Sequence, residues 1–287
     1  MRAAAWIAGA ALLAAGCGDG AGGKPAAGRA KAKTVTIKGS DTMVILGQRW
    51  AETYMHHTPG ITVQVTGGGS GTGIAALING GTDLCESSRP MKPKEREQAK
   101  ARHGRDVKET PVALDGIAIY VHKGNPLKSI ALPQLKDLYT GKIKDWKDLG
   151  LPAGRIVAYS RENNSGTYVY FKEHVLENAD FAADIQTLPG TAAVVNAVSK
   201  DRASVGYGGI AYGSGTRTVP VSKDGTAPPV EPSLKTVQDN TYPVSRELYF
   251  YTLGEPAGEV KAFVDWVLGD EGQKVCEQVG YYPLRKK

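Results

Sequence analysis

Four short turns rich in glycine, serine and threonine are the part of this sequence best suited to binding chemistry. Each follows a short apolar run that predicts a strand, and each precedes a segment that predicts a helix. Such turns direct backbone N–H groups and hydroxyls at one point, and the dipoles of the following helices add positive potential there. The sequence therefore predicts a cage for a small anion. The four turns are Gly39–Thr42, Gly67–Gly73, Glu86–Arg89 and Arg161–Thr167.

The glycine-rich turn Gly67–Gly73 matches none of the common nucleotide or hydrolase motifs. No Gly-Lys-Ser/Thr follows it, no G-x-G-x-x-G frame closes, and Ser70 does not stand in a G-x-S-x-G elbow. A flexible loop is one explanation for so many glycines. We prefer a second one, in which successive backbone N–H groups form a nest for an oxyanion.

Arg161 and Asp41 supply the charged groups of the predicted cage. Arg161 can offer a guanidinium fork to an anion, and the hydroxyls of Ser165 and Thr167 suit the start of the next helix. Asp41 can accept the proton that orthophosphate keeps near neutral pH and that sulfate lacks, so an acceptor there favours phosphate. The alternatives are that Arg161 is a surface residue and that Asp41 only caps the helix beginning at Met43.

Three further residues have two interpretations each. Arg89 is either a second cation of the site or holds its turn from outside by pairing with a carboxylate. Cys85 and Cys276 either form a disulfide or are two buried thiols.

The sequence offers little chemistry for an enzyme. Its five histidines have no metal-ligand spacing, and no Cys/His pair resembles a nucleophile with its base. We therefore expect no metal, no cofactor and no catalysis. A secreted phosphatase with Ser70 or Ser165 as nucleophile is an alternative that lacks a base and a metal. A scaffold or adhesion protein with a vestigial cleft is another.

The net charge of +6 does not indicate a nucleic-acid partner. Five basic residues and one acidic residue precede Thr34, and three basic residues follow Leu284, which leaves about −1 for the body between them. The basic residues thus lie in the tails and predict no basic binding face.

The N-terminus predicts export and a lipid anchor. Residues 1–16 combine Arg2 with an apolar stretch too short for a stable membrane span, which is typical of a signal peptide. Cleavage before Cys17 would free its thiol for lipidation, although an ordinary secretory signal is the alternative. Residues 17–33 then predict a flexible linker.

The body alternates predicted strands and helices in two series, the pattern of an α/β protein with a parallel sheet. The helix after the glycine-rich turn is predicted over 74–79, and a later one begins at Tyr168. Ligands of open α/β sheets bind at the carboxyl ends of the strands, where all four turns would lie. We therefore expect two lobes with a cleft between them.

The sequence resembles the PstS-type phosphate-binding proteins of phosphate ABC transporters, which are two-lobed periplasmic substrate-binding proteins. The resemblance is collinear over nearly the whole body. Beyond the four turns, the matching segments are Asp115–Ala118, Leu138–Ile143 with Trp146, Val205–Tyr207, Tyr242–Arg246 and Tyr282–Leu284.

The resemblance implies a type II periplasmic-binding-protein fold, with 34–114 and 245–287 in lobe I and 115–244 in lobe II. It also implies a phosphate held by neutral donors, one arginine and one carboxylate. Longer members of the family place that carboxylate where this chain has Ser88, and we expect Asp41 to take its role from the neighbouring turn. The arginine is Arg161, and the implied donors are Ser40, Thr42, Ser70, Gly71, Ser165, Gly166 and Thr167.

From these features we expect a monomeric, membrane-anchored lipoprotein that captures inorganic phosphate and delivers it to an ABC transporter permease. The same scaffold binding sulfate, molybdate or tungstate is the alternative.

Overall fold

A computed structural model describes residues 33–284. The predicted signal peptide, Cys17 and all of the linker except Lys33 lie outside the described residues. Within 33–284, no helix is both long and apolar enough to cross a membrane.

The described chain mostly alternates strands and helices. The strands are β1 Lys33–Gly39, β2 Ile61–Thr66, β3 Leu84–Ser87, β4 Val107–Val121, β5 Ile130–Ala131, β6 Val157–Arg161, β7 Gln186–Leu188, β8 Ser204–Gly209, β9 Arg217–Val219, β10 Val221–Ser222 and β11 Ser245–Leu253. The helices are α1 Val44–His57, α2 Ser70–Ile78, α3 Pro93–His103, α4 Leu132–Tyr139, α5 Gly166–His174, α6 Gly190–Lys200, α7 Leu234–Gln238, α8 Gly258–Leu268 and α9 Asp270–Val279.

Nine of the strands between residues 33 and 284 form one mixed sheet in the order β2-β1-β3-β11-β4-β8-β6-β7, with β9 also paired to β4. We call β1, β2 and β3 the first half-sheet and β6 to β9 the second half-sheet. Strands β1, β2 and β3 run parallel, as do β6, β7 and β8, whereas β11 is antiparallel to both of its neighbours. The predicted α/β class is confirmed.

Strand β4 joins the two half-sheets. Its residues 107–116 pair with β11, and its residues 117–121 pair with β8 and β9. The changeover falls between Gly116 and Ile117, and the register partner of nearby Asp115 on β11 is Arg246. One continuous strand therefore joins the two half-sheets.

Two large apolar cores correspond to the two half-sheets. In the first, Val35 and Ile37 alternate with more exposed residues along β1 and pack with Trp50 of α1, because alternate strand residues face the same side. In the second, the rings of Phe171 and Tyr207 stack at 3.9 Å. The lobe boundaries near residues 115 and 245 stay a prediction.

Element ends differ most from prediction at the site turns. Helix α2 begins at Ser70 rather than Ile74, and α5 begins at Gly166 rather than Tyr168. The short helix α7 has no counterpart in the sequence interpretation. Within residues 33–284, Cys85 and Cys276 are buried thiols and form no disulfide with each other.

Candidate anion-binding site

Three serines from three different turns meet at the carboxyl end of the first half-sheet. Ser40 follows β1, Ser70 begins α2, and Ser88 follows β3. The Ser40 hydroxyl donates to Ser88 Oγ at 2.9 Å, and the Ser70 and Ser88 hydroxyls are 3.3 Å apart. The Ser88 backbone N–H also donates to Ser70 Oγ at 3.0 Å. All three side chains are buried, so the parallel strands bring their hydroxyls together as predicted.

The second half-sheet contributes its hydroxyls to the same place. Thr167 lies on the first turn of α5, and its hydroxyl oxygen is 2.8 Å from that of Thr42. A Cβ added to Gly166 would lie 2.3 Å from Ser70 Oγ and 2.7 Å from Ser88 Oγ, closer than real contacts allow. Glycine is therefore required at 166 for the α5 N-terminus to approach the serines.

Two helices direct their N-termini at this cluster. Helix α2 starts at Ser70, and helix α5 starts at Gly166 behind Ser165, whose Oγ accepts the Tyr168 backbone N–H at 3.3 Å. Unpaired N–H groups and the helix dipole make such ends favourable for anions. The two N-termini thus supply positive potential without a formal charge.

Arg161, the last residue of β6, is an almost completely buried cation. Its Nη2 donates to Asp41 Oδ2 at 2.9 Å and its Nη1 to Thr191 Oγ1 at 2.6 Å. Its Nε has no hydrogen-bond partner among the described residues. Burial lowers the pKa of Arg161 from its ordinary value, which the Asp41 carboxylate opposes. The interpretation of Arg161 as a surface residue is wrong.

Asp41 links the two half-sheets and does not cap α1. Its second oxygen, Oδ1, accepts the backbone N–H of Gly68 at 2.7 Å, and the N-cap of α1, Met43, has no side-chain cap bond. The Asp41 carboxylate therefore contacts both the glycine-rich turn and Arg161. Its role as the proton acceptor stays a prediction.

Arg89 lies outside the hydroxyl cluster. Its guanidinium forms two hydrogen bonds with Glu95, at 2.9 and 2.7 Å, and a third with the Pro90 carbonyl at 2.9 Å. Hydrogen bonding to Arg89 lowers the pKa of Glu95, although burial opposes it. The structure supports the second interpretation of Arg89, in which it holds its turn from outside the site by pairing with a carboxylate, that of Glu95.

The backbone N–H of Gly71 is used in a contact between turns, where it donates to the Asn164 carbonyl at 2.9 Å. Its role as an anion donor stays a prediction. Among residues 33–284, no group of three His, Cys, Asp or Glu side chains is arranged to hold a metal ion.

The residue-level interpretation missed two buried charged features. Arg246 donates through Nε and Nη2 to Asp115 Oδ2, at 2.9 and 2.7 Å, and also contacts the Ser88 carbonyl and Thr167 Oγ1 at 3.0 Å each. Glu86 is completely buried, with no partner for either carboxylate oxygen among the described residues. The sequence signal for both features was a carboxylate inside an apolar strand, Asp115 in β4 and Glu86 in β3. Such residues are rarely buried without a partner.

Comparison with known proteins identifies the family. The PBP superfamily domain matches residues 24–271. The phosphate-binding protein PstS of Pseudomonas aeruginosa is 35% identical over 266 residues, which cover 87% of this chain and 82% of that protein. The chain belongs to the PstS family of phosphate-binding proteins.

Solved structures show that this PstS-family chain has the periplasmic-binding-protein fold. A Clostridium perfringens protein crystallised with bound phosphate superposes with a TM-score of 0.79 at 29% identity, covering 88% of this chain and 100% of that one. An ABC-type phosphate transport receptor from Vibrio cholerae gives 0.70 at 25% identity, covering 86% and 99%. The fold implied by the sequence resemblance is confirmed.

Proposed function

We propose that this PstS-family chain is an extracytoplasmic receptor that binds inorganic phosphate and delivers it to an ABC transporter permease. The observation that supports this most strongly is the meeting of Ser40, Ser70 and Ser88 with Thr42 and Thr167 in one buried cluster. Hydroxyls from four separate turns have no packing reason to converge. Relatives named as phosphate-binding proteins support phosphate as the anion.

The charges of the cluster favour a protonated anion. Arg161 is paired with Asp41, and Arg246 is paired with Asp115, so the formal charges of these two pairs cancel. An anion there would be stabilised by neutral donors, helix N-termini and the Arg161 Nε, which has no partner among residues 33–284. Asp41 would accept the phosphate proton, as expected from the sequence, whereas sulfate would bring a lone pair against that carboxylate.

Binding would involve no covalent step. The Ser70 hydroxyl faces Ser88, and the Ser165 hydroxyl caps α5, so the two serines suggested as phosphatase nucleophiles are engaged as hydrogen-bonding groups. Residues 34–114 with 245–287 would form lobe I, and residues 115–244 lobe II. An anion contacting both lobes favours their closed arrangement, which the permease would recognise.

The lipid anchor and the monomeric state complete the proposal. Cleavage before Cys17 and lipidation of its thiol would tether the receptor to the membrane through residues 17–33. The sequence alone supports this part.

Calorimetry with a panel of anions tests the proposal on protein stripped of endogenous ligand. We expect binding heat with phosphate and weaker binding of sulfate, molybdate and tungstate. A site that needs the ligand proton can reject an analogue without it by roughly four to five powers of ten. Tighter binding of sulfate, molybdate or tungstate would reassign the ligand, and no heat with any anion would refute the receptor function.

A further inference from the structure

Asn164 forms hydrogen bonds between the turns of the two half-sheets at the edge of the site. It lies between β6 and α5, and its backbone carbonyl accepts the N–H of Gly71 at 2.9 Å. Its side-chain Nδ2 donates to the Gly68 carbonyl at 3.0 Å and to Thr72 Oγ1 at 3.3 Å. One residue of the second half-sheet therefore contacts three residues of the glycine-rich turn.

This contact explains glycines that a phosphate nest alone does not. A Cβ on Gly69 would lie 2.7 Å from the Asn164 carbonyl oxygen, and one on Gly71 would lie 3.1 Å from it. Gly69 also has a φ of +89°, which side chains rarely adopt. Residue 69 must therefore lack a side chain for the turn to approach Asn164 this closely, and a side chain at residue 71 would require Asn164 to shift by a few tenths of an ångström.

The position of the glycine-rich turn determines the position of anion-site groups. Gly68 donates to Asp41, which pairs with Arg161, and Ser70 begins α2 two residues later. Among the other hydrogen bonds between the half-sheets, Thr42 with Thr167 is buried and Arg161 with Asp41 is part-buried, whereas the Asn164 side-chain bonds are exposed. Water can replace exposed bonds, so these are the ones that can break first when the half-sheets separate.

We propose that Asn164 is a latch that holds the glycine-rich turn against the second half-sheet and thereby sets the rate at which a bound anion leaves. The latch rests on the proposed function, because it acts on a phosphate held between the half-sheets. Asn164 acts through the turn and is a positioning residue. The Asn164 side-chain hydrogen bonds form only when the two half-sheets are in contact. Removing these bonds should therefore accelerate phosphate dissociation more than it slows phosphate association.

The test is the dissociation rate of phosphate, measured by stopped flow on the full chain. We expect Asn164→Ala to raise this rate about tenfold, the effect of one or two neutral hydrogen bonds, with little change in the association rate. Thr72→Val removes one acceptor and should raise the rate less. Phosphate should dissociate from the double variant no faster than from Asn164→Ala alone, because the two substitutions remove the same hydrogen bond.

Asn163→Ala is the matched control, since Asn163 is the exposed neighbour in the same turn. Phosphate dissociation from Asn164→Ala no faster than from Asn163→Ala would overturn the latch while the receptor function stands. Asn164→Ala would also overturn the latch if it slowed phosphate association as much as it accelerated dissociation and lowered the unfolding free energy of the ligand-free protein, since these changes indicate general damage. Failure of both the unaltered chain and Asn163→Ala to bind phosphate would instead refute the proposed function.

Discussion

Two buried arginines near the site differ in how completely they are paired. Arg246 and Asp115 are register partners on neighbouring strands, with side chains 1% and 0% exposed. Arg161 and Asp41 come from opposite half-sheets, and the Asp41 side chain is 22% exposed. Arg246 makes four hydrogen bonds through all three of its nitrogens, whereas the Nε of Arg161 has no partner in the described part of the chain.

From this difference we propose that the Arg246–Asp115 pair is structural and that the Arg161–Asp41 pair takes part in binding. The Arg246–Asp115 pair lies where β4 passes between half-sheets, and it persists as long as β4 and β11 stay paired. The Arg161–Asp41 pair depends on how the two half-sheets are placed. A buried cation with a free donor is suited to bind a ligand, because an unsatisfied buried donor is otherwise unfavourable.

The largest expected effect is on stability, from Asp115→Ala. Removing this carboxylate leaves the Arg246 charge buried and unpaired, which costs about 3–5 kcal/mol of unfolding free energy. Urea denaturation of the ligand-free protein measures it. Asp184→Ala is the control, because it breaks the exposed Lys144–Asp184 pair, which contributes little to stability. Equal losses in the two variants would contradict the structural role of Asp115.

The next effect is on affinity, from Arg161→Ala. We expect phosphate affinity to fall at least about a hundredfold, because charge-assisted bonds to the anion are lost. Stability should fall less than in Asp115→Ala, since the Asp41 left behind is partly exposed. Calorimetry and urea denaturation on the same samples give both values, with the exposed Arg49→Ala as control. Near-normal phosphate binding would exclude a direct role for Arg161.

Short-range patterns were enough to predict the α/β class and the four site turns. Alternation along β1 and helical spacing in α1 are local signals, and the carboxyl ends of parallel strands meet by topology. The register partnership of Arg246 with Asp115 joins residues far apart in the chain, so no local pattern reports it. The early starts of α2 and α5 were missed because glycine and serine, poor helix formers, occupy their first turns.

The glycine-rich turn makes a contact that its sequence did not predict. Its glycines predicted a backbone nest for an oxyanion, which stays a prediction, and the structure places the Asn164 backbone against Gly69 and Gly71. Sequence spacing does not tell whether the approaching group is an anion or another turn. Only the tertiary arrangement distinguishes these two possibilities.

Glu86 is a buried carboxyl that pairs with no arginine among residues 33–284. Burial raises the pKa of Glu86 well above its usual value, and nearby Asp41 raises it further. The folded state therefore keeps the proton as pH rises past the pKa of the unfolded chain. Stability from this group is fully present below that unfolded pKa and is lost as pH rises toward the folded pKa.

Glu86→Gln replaces the neutral acid with a neutral amide that cannot ionise. Between pH 5 and pH 6 the unaltered protein should lose about 1 kcal/mol of unfolding free energy relative to this variant, since one proton corresponds to about 1.4 kcal/mol per pH unit. Urea denaturation at the two pH values measures the change, and the exposed Glu97→Gln, which keeps Glu86, should lose as much stability as the unaltered protein. A parallel pH dependence in Glu86→Gln and the unaltered protein would mean that Glu86 is ionised in the fold. It would then need a cationic partner comparable to those of Asp41 and Asp115.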